Sequence, residues 1–214
     1  MRMRRKKHGA ERIAACSEIL IPTPQSTMNP CEYFSTPRPL CLEIGCGKGD
    51  FAVGMAQKHP EWNFIAMERV PDVACLALEK AMVKKDLRPD NLRFLIGDAQ
   101  NLCDWFPPHS IDRIYLNFSD PWPKKGYAKR RLTHEGFLNR YREILVPGGY
   151  LLLKTDNVGL FEFSLEEFER CGLHIEWQTR DLHASELAQS NVMTEYERNF
   201  SSKGQVIYSA HVHF

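Results

Sequence analysis

The sequence predicts an α/β fold in which a mostly parallel sheet carries helices on both faces. Three observations point there. Short apolar runs alternate with helix-length amphipathic stretches through the middle of the chain, a Gly-x-Gly-x-Gly turn joins the first run to the first helix, and the last residues alternate with period two. Repeated βα units of this length pair parallel strands and lay helices over them. With 214 residues, 43% of them hydrophobic, the chain is long enough for one sizeable domain with a full core.

Residues 1–39 read as a basic arm (Arg2, Arg4, Arg5, Lys6, Lys7), a short helical stretch, and an extended linker with prolines at 22, 24, 30, 37 and 39. The compact domain is expected over 40–214. Leu40 to Ile44 is the first strand, and Asp50 to His59 the first helix, stopped by Pro60. Asn63 to Met67 is the second strand, followed by a helix with Pro71 at its first position and reaching about Lys85. Leu92 to Ile96 and Arg113 to Phe118 give the third and fourth. Phe137, Leu138, Tyr141, Ile144 and Leu145 mark one helix face, which Pro147-Gly148-Gly149 ends before a fifth strand, Tyr150 to Lys154. A helix around Phe161, Leu165 and Phe168 precedes strands at His174 to Gln178 and Val206 to Phe214. Residues 181–205 between them read as a long polar loop, a length that often carries function.

The formal net charge is only +1, so affinity for a polyanion must come from local clusters. Arg2 to Lys7 and Lys124 to Arg131 are such clusters. The seven cysteines form no Cys-x-x-Cys pair and no metal-like spacing with the histidines, so no metal site is expected. No run of 18 apolar residues and no signal-peptide pattern is found, so no membrane role is expected and a cytoplasmic protein is; monomer and homodimer both stay open.

The turn after the first strand contains Gly45, Gly47 and Gly49 and lets a backbone approach a ligand. It is no dinucleotide fingerprint, because Asp50 stands where the third glycine would be, and no phosphate loop, because no Gly-Lys-Ser/Thr follows. Glu43, Glu68, Asp98, Asp120 and Asp156 each lie at or near the carboxyl end of an expected strand, where open parallel sheets bind ligands. Such a rim repels a phosphate-rich cofactor and suits a cationic one. S-adenosylmethionine meets that requirement, with Glu68 accepting from ribose hydroxyls and Asp98 near the adenine. Any one strand-end acid commonly caps a helix instead.

The glycine turn with these acids resembles class I S-adenosylmethionine-dependent methyltransferases. The stretches "DPWPKK...KRR", "LLLKTDN" and "MTEYERNFSSKGQVIY" together resemble the bacterial tRNA (guanine-N7)-methyltransferase family. That resemblance implies a Rossmann-like fold with a mostly parallel seven-stranded sheet and an antiparallel C-terminal strand. It implies methylation of N7 of a guanine in tRNA, in the variable loop. Glu43, Glu68, Asp98 and Asp120 match cofactor-contacting acids, and Asp120 also the catalytic residue. Lys124, Asp156, Thr194, Glu195, Tyr196 and Glu197 match substrate-contacting positions, and Gly126, Tyr127, Ala128, Lys129, Arg130 and Arg131 an RNA-contacting segment. Many members have Arg-His where this chain has Gly126-Tyr127; Tyr127 can stack on a base or ribose instead.

Guanine N7 presents a free lone pair, so its methylation needs alignment and no general base. A carboxylate can accept from the guanine N1–H and amino group and offset the positive charge that develops on the base. Asp120, Asp156 and Glu197 are candidates for these two roles. A methyltransferase for a small amine or carboxylate, and a non-catalytic RNA-binding protein on the same fold, are the alternatives.

Overall fold

The computed structural model describes residues 6–83 and 89–214. Arg2, Arg4 and Arg5 of the basic arm, and Lys85 at the expected end of the second helix, lie outside them. The chain divides after Pro107 into two compact units.

In the first unit the strands are β1 (Leu20–Ile21), β2 (Leu40–Ile44), β3 (Asn63–Glu68) and β4 (Leu92–Ile96). All pairs are parallel, in the order β1-β4-β3-β2. Every residue of β2 is buried, as a strand covered on both faces requires. Helices α1 (Gly9–Ala14), α2 (Asp50–Lys58), α3 (Pro71–Val83) and α4 (Leu102–Trp105) complete the unit. Leu42, Ile65, Leu78 and Phe94 are among the side chains at its core.

Strand β1 is absent from the sequence expectation, which placed the stretch after the basic arm in a helix. Two residues are too few to show periodicity, and what makes them a strand is the neighbour: Ile19 C=O accepts from Phe94 N–H at 2.8 Å, and Leu20 and Ile21 align with Phe94 and Leu95. The proline-rich stretch is likewise tied down. Met28 N–H donates to Trp105 C=O, Asn63 Nδ2 to Thr36 C=O, and Arg93 stacks on the Phe34 ring. From Lys6 onward the arm packs on α3, with Lys6 N–H on Asp72 Oδ1 at 2.7 Å and the Arg12 guanidinium on both oxygens of Glu79 at 2.6 Å.

The second unit holds β5 (Ile111–Asn117), β6 (Leu145–Thr155), β7 (His174–Thr179) and β8 (Tyr208–His213), with α5 (Glu135–Ile144), α6 (Val158–Arg170) and α7 (Glu195–Ser201). β5 and β6 are parallel, while β8 runs antiparallel to both β6 and β7. The described residues thus contain eight strands, one more than expected, with the C-terminal strand antiparallel as expected. β6 begins at Leu145, ahead of the expected Tyr150, because Leu145 pairs with Ile111 across a bulge. Gly149 is required there: a Cβ would lie 2.9 Å from Val146 O and 3.2 Å from Asp112 O.

The expected polar loop at 181–205 contains α7 and a 3-10 turn at Leu182–Ala184. A local signal for the helix does exist in the sequence. Thr194-x-x-Glu197 is a capping box, in which Thr194 Oγ1 accepts from Glu197 N–H at 2.9 Å and Glu197 Oε2 accepts from Thr194 N–H at 3.4 Å.

Candidate functional site

The residues singled out by sequence fall into two sets, one in each unit. In the first, β2, β3 and β4 end at one edge, so Glu43, Glu68 and Asp98 are neighbours along it. Gly45, Gly47 and Gly49 all have left-handed φ, at 84°, 58° and 79°. A Cβ on Gly45 or Gly47 would meet nothing within 4 Å, whereas one on Gly49 would press on Phe94 at 3.2 Å and Ala77 at 3.3 Å. The first two glycines therefore border open space and the third serves helix packing.

The turn is held by its neighbour strand. Gly45 and Cys46 N–H both donate to Met67 C=O, and Gly47 N–H donates to Glu68 Oε2 at 3.0 Å. Glu68 Oε1 accepts from Val70 N–H at 2.8 Å. Each carboxylate oxygen has a further lone pair, so Glu68 is fixed in place and still able to accept from two hydroxyls. Asp98 caps the turn after β4 by accepting from Gln100 N–H, and its other oxygen lies 3.6 Å from Arg69 Nη1. Glu43 is buried, 2% exposed. Burial, with the charges of Glu43 and Glu68, pushes the Cys46 thiol well up, so it stays protonated and is no nucleophile. Open space beside two glycines, with the carboxylates of Glu68 and Asp98 at the same strand ends, suits a cation with ribose hydroxyls. S-adenosylmethionine fits that donor set.

In the second unit β5 and β6 end together, with Asn117 opposite Lys154, which places Asp120 and Asp156 at a common edge. The segment between Asn117 and Lys124 is a strained elbow. Phe118 and Trp122 have φ of 54° and 40°, unfavourable for side chains of this bulk at about 1–3 kcal/mol each. Ser119 Oγ is buried with no hydrogen-bond partner among the described residues. Asp120 itself is exposed.

Beside the elbow, Tyr196 O–H donates to Asp156 Oδ2 at 2.9 Å, and its ring lies between Phe118 (4.9 Å) and Phe200 (4.2 Å, stacked). Partial burial and the Asp156 charge raise the Tyr196 hydroxyl to about 12, so it is a donor at neutral pH. Thr194 is half-buried and caps α7. Glu197 is fully buried: Oε2 accepts from Lys154 Nζ at 2.8 Å, and Oε1 from His183 Nε2 at 2.8 Å and Asn191 Nδ2 at 2.6 Å. Glu195 is half-buried in the first turn of α7. Lys154, His183 and Asn191, which all hydrogen-bond Glu197, were not singled out from sequence, because nothing local reveals which buried charge they serve.

The basic segment forms a 3-10 turn, Lys125–Arg130. Lys124, Lys125, Gly126, Tyr127 and Lys129 are exposed, and Ala128 is half-buried. Arg130 stacks on two rings, 4.9 Å from Trp122 and 4.8 Å from Tyr127, which meet edge to face. Arg131 is turned onto the elbow, with Nε on Pro121 C=O and Nη2 on Trp122 C=O, both at 3.0 Å. Among the described residues no helix is long and apolar enough to cross a membrane.

Comparison with known proteins places this arrangement. The family described as "Putative methyltransferase" matches residues 37–210. A tRNA (guanine-N(7)-)-methyltransferase of Limosilactobacillus reuteri is 46% identical over the full length of both chains, and one of Brevibacillus brevis is 51% identical over 83% of this chain and 81% of its own. Among solved structures, the 16S rRNA methyltransferase KamB superposes with a TM-score of 0.64 at 14% identity, covering 87% of this chain and 94% of its own; this shows the fold alone. Full-length identity at this level, together with the matched motifs, leads to one conclusion: the chain belongs to the tRNA (guanine-N(7)-)-methyltransferase family.

Proposed function

We propose that this chain methylates N7 of a guanine in the variable loop of tRNA, in the cytoplasm, by in-line transfer without a general base. The observation that carries the reading is the pairing of two strand-end carboxylates, Asp120 and Asp156, with exposed cations that follow the first of them directly. Bound S-adenosylmethionine supplies an electrophilic methyl group on sulfur. Glu43, Gly45, Gly47, Glu68 and Asp98 are the residues that would hold it, with Glu68 accepting from the ribose. Asp120 stands beside the reacting base and offsets the charge that N7 alkylation creates there. Asp156, steadied by Tyr196, accepts from the guanine edge. Lys124, Lys129 and Arg130 position the phosphates on either side, while Tyr127, already against Arg130, offers a stacking face. Glu197 keeps α7 in place from beneath.

The test is methyl transfer from labelled S-adenosylmethionine to unmodified bulk tRNA, followed by nucleoside analysis. 7-Methylguanosine is the expected product. No methylated nucleoside, from folded protein that binds the cofactor, would redirect the search to small-molecule acceptors. Charge reversal of Lys129 and Arg130 together is expected to weaken tRNA binding and lower the slope of log Kd against log salt by about one per lost phosphate contact. An unchanged slope would place the RNA elsewhere.

A further inference from the structure

The side chain of Arg131 is spent within the fold. We propose that Arg131, resting on Phe163, is a positioning residue that locks the Asp120 elbow, and that it contributes to turnover through that elbow instead of through a phosphate. The inference rests on the functional reading above.

Four observations support it. The guanidinium donates from two nitrogens to consecutive elbow carbonyls, Pro121 and Trp122, a forked geometry that lysine cannot reproduce. Its central carbon lies 4.2 Å from the centre of the Phe163 ring on α6, so one face of the guanidinium is covered. The chain immediately behind it is anchored: Tyr141 O–H donates to Leu132 C=O at 3.0 Å, Ser164 Oγ to the buried Thr133 Oγ1 at 2.8 Å, and Glu135 N–H to Glu167 Oε2 at 2.6 Å. The elbow it grips has left-handed backbone at Phe118 and Trp122, on both sides of Asp120. Strained backbone of that kind persists only where its surroundings over-determine it. Two carbonyls held by one rigid fork, itself seated on a helix, supply that restraint, and Asp120 inherits its position.

The experiment compares Arg131→Ala, Arg131→Lys and Phe163→Leu with the parent, reading kcat, KM for tRNA, the salt slope of tRNA binding, melting temperature, and hydrogen exchange of peptides covering residues 118–124 in the free protein. Arg131→Ala is expected to lower kcat about 100-fold, the scale of a misplaced catalytic group, with an unchanged salt slope and faster exchange in the elbow. Arg131→Lys is expected to recover only part of kcat despite keeping the charge. Phe163→Leu, which removes no charge, is expected to show a smaller loss of the same kind. A raised KM with normal kcat, a salt slope reduced by about one, and unaltered exchange would make Arg131 a phosphate contact and overturn the proposal. The exchange measurement needs no turnover, so a parent protein that made no 7-methylguanosine would overturn the functional reading and leave the lock to be judged on the elbow alone.

Discussion

Asp120→Ala is expected to lower kcat by about 10²–10³-fold, the usual consequence of removing one preorganised electrostatic partner of a transition state, and to leave the melting temperature unchanged. The second half follows from the geometry. Asp120 is exposed, and no hydrogen bond to its carboxylate is found among the described residues, so the fold does not lean on it. The first half follows from the chemistry. A base that becomes cationic on alkylation is stabilised in the transition state by a fixed negative charge, and a residue without charge cannot supply it. Asp120→Asn, which keeps size and an acceptor oxygen, should therefore lose most of the same rate. Single-turnover methyl transfer, with cofactor and tRNA affinities measured separately, checks this. Near-parental turnover of the Asp120→Asn variant would mean that shape and hydrogen bonding suffice, and near-parental turnover of the alanine variant would remove the residue from the mechanism.

Glu197→Ala is expected to cost about 3–5 kcal/mol of stability, because it removes one member of a buried, hydrogen-bonded ion pair with Lys154. Lys154 is only 7% exposed, and its hydrogen bonds to Asn191 Oδ1 and Val192 C=O are to neutral groups. For a chain of this length that loss corresponds to a fall in Tm of roughly 6–20 °C. Glu197→Gln combined with Lys154→Met removes both charges and should fall much less. Burial alone would raise the Glu197 carboxyl, but the Lys154 charge and the hydrogen bonds from Lys154, His183 and Asn191 bring it below its ordinary value. A depressed carboxylate contributes stability that is fully present above the unfolded value of about 4.3 and is lost as pH falls through the folded one. Thermal unfolding of parent and variant between neutral and acidic pH should show their difference shrinking on the acid side. An unchanged Tm with weakened tRNA binding would instead put Glu197 against the substrate.

This second expectation separates two kinds of acid that look alike in the sequence. Asp120, Asp156 and Glu197 were all candidates for contacting guanine, with Asp120 expected nearest the reacting atoms. In the structure Asp120 is exposed, Asp156 is held by Tyr196, and Glu197 is enclosed by Lys154, His183 and Asn191. The cations behave similarly. Five charges in eight residues read as one basic run, yet Lys124, Lys125 and Lys129 are exposed to solvent, Arg130 lies on two aromatic rings and Arg131 grips the elbow.

What the sequence by itself determined has a local physical cause. The strands β2, β3 and β4 stand within a residue of where their apolar runs put them, Pro71 opens α3, and all three turn glycines adopt the left-handed backbone that only glycine enters cheaply. The carboxyl-end placement of the acids followed from the alternation of strands and helices. What only the tertiary structure decided is everything whose cause is a distant neighbour. β1 is a strand because Phe94 and Leu95 lie beside it, Glu197 is interior because Lys154 on β6 needs a counter-charge, and Arg131 turns inward because the ring of Phe163 waits 32 residues further along the chain. Periodicity and turn chemistry are written in a few consecutive residues, whereas the partner of a buried charge is fixed by which surfaces the fold brings together.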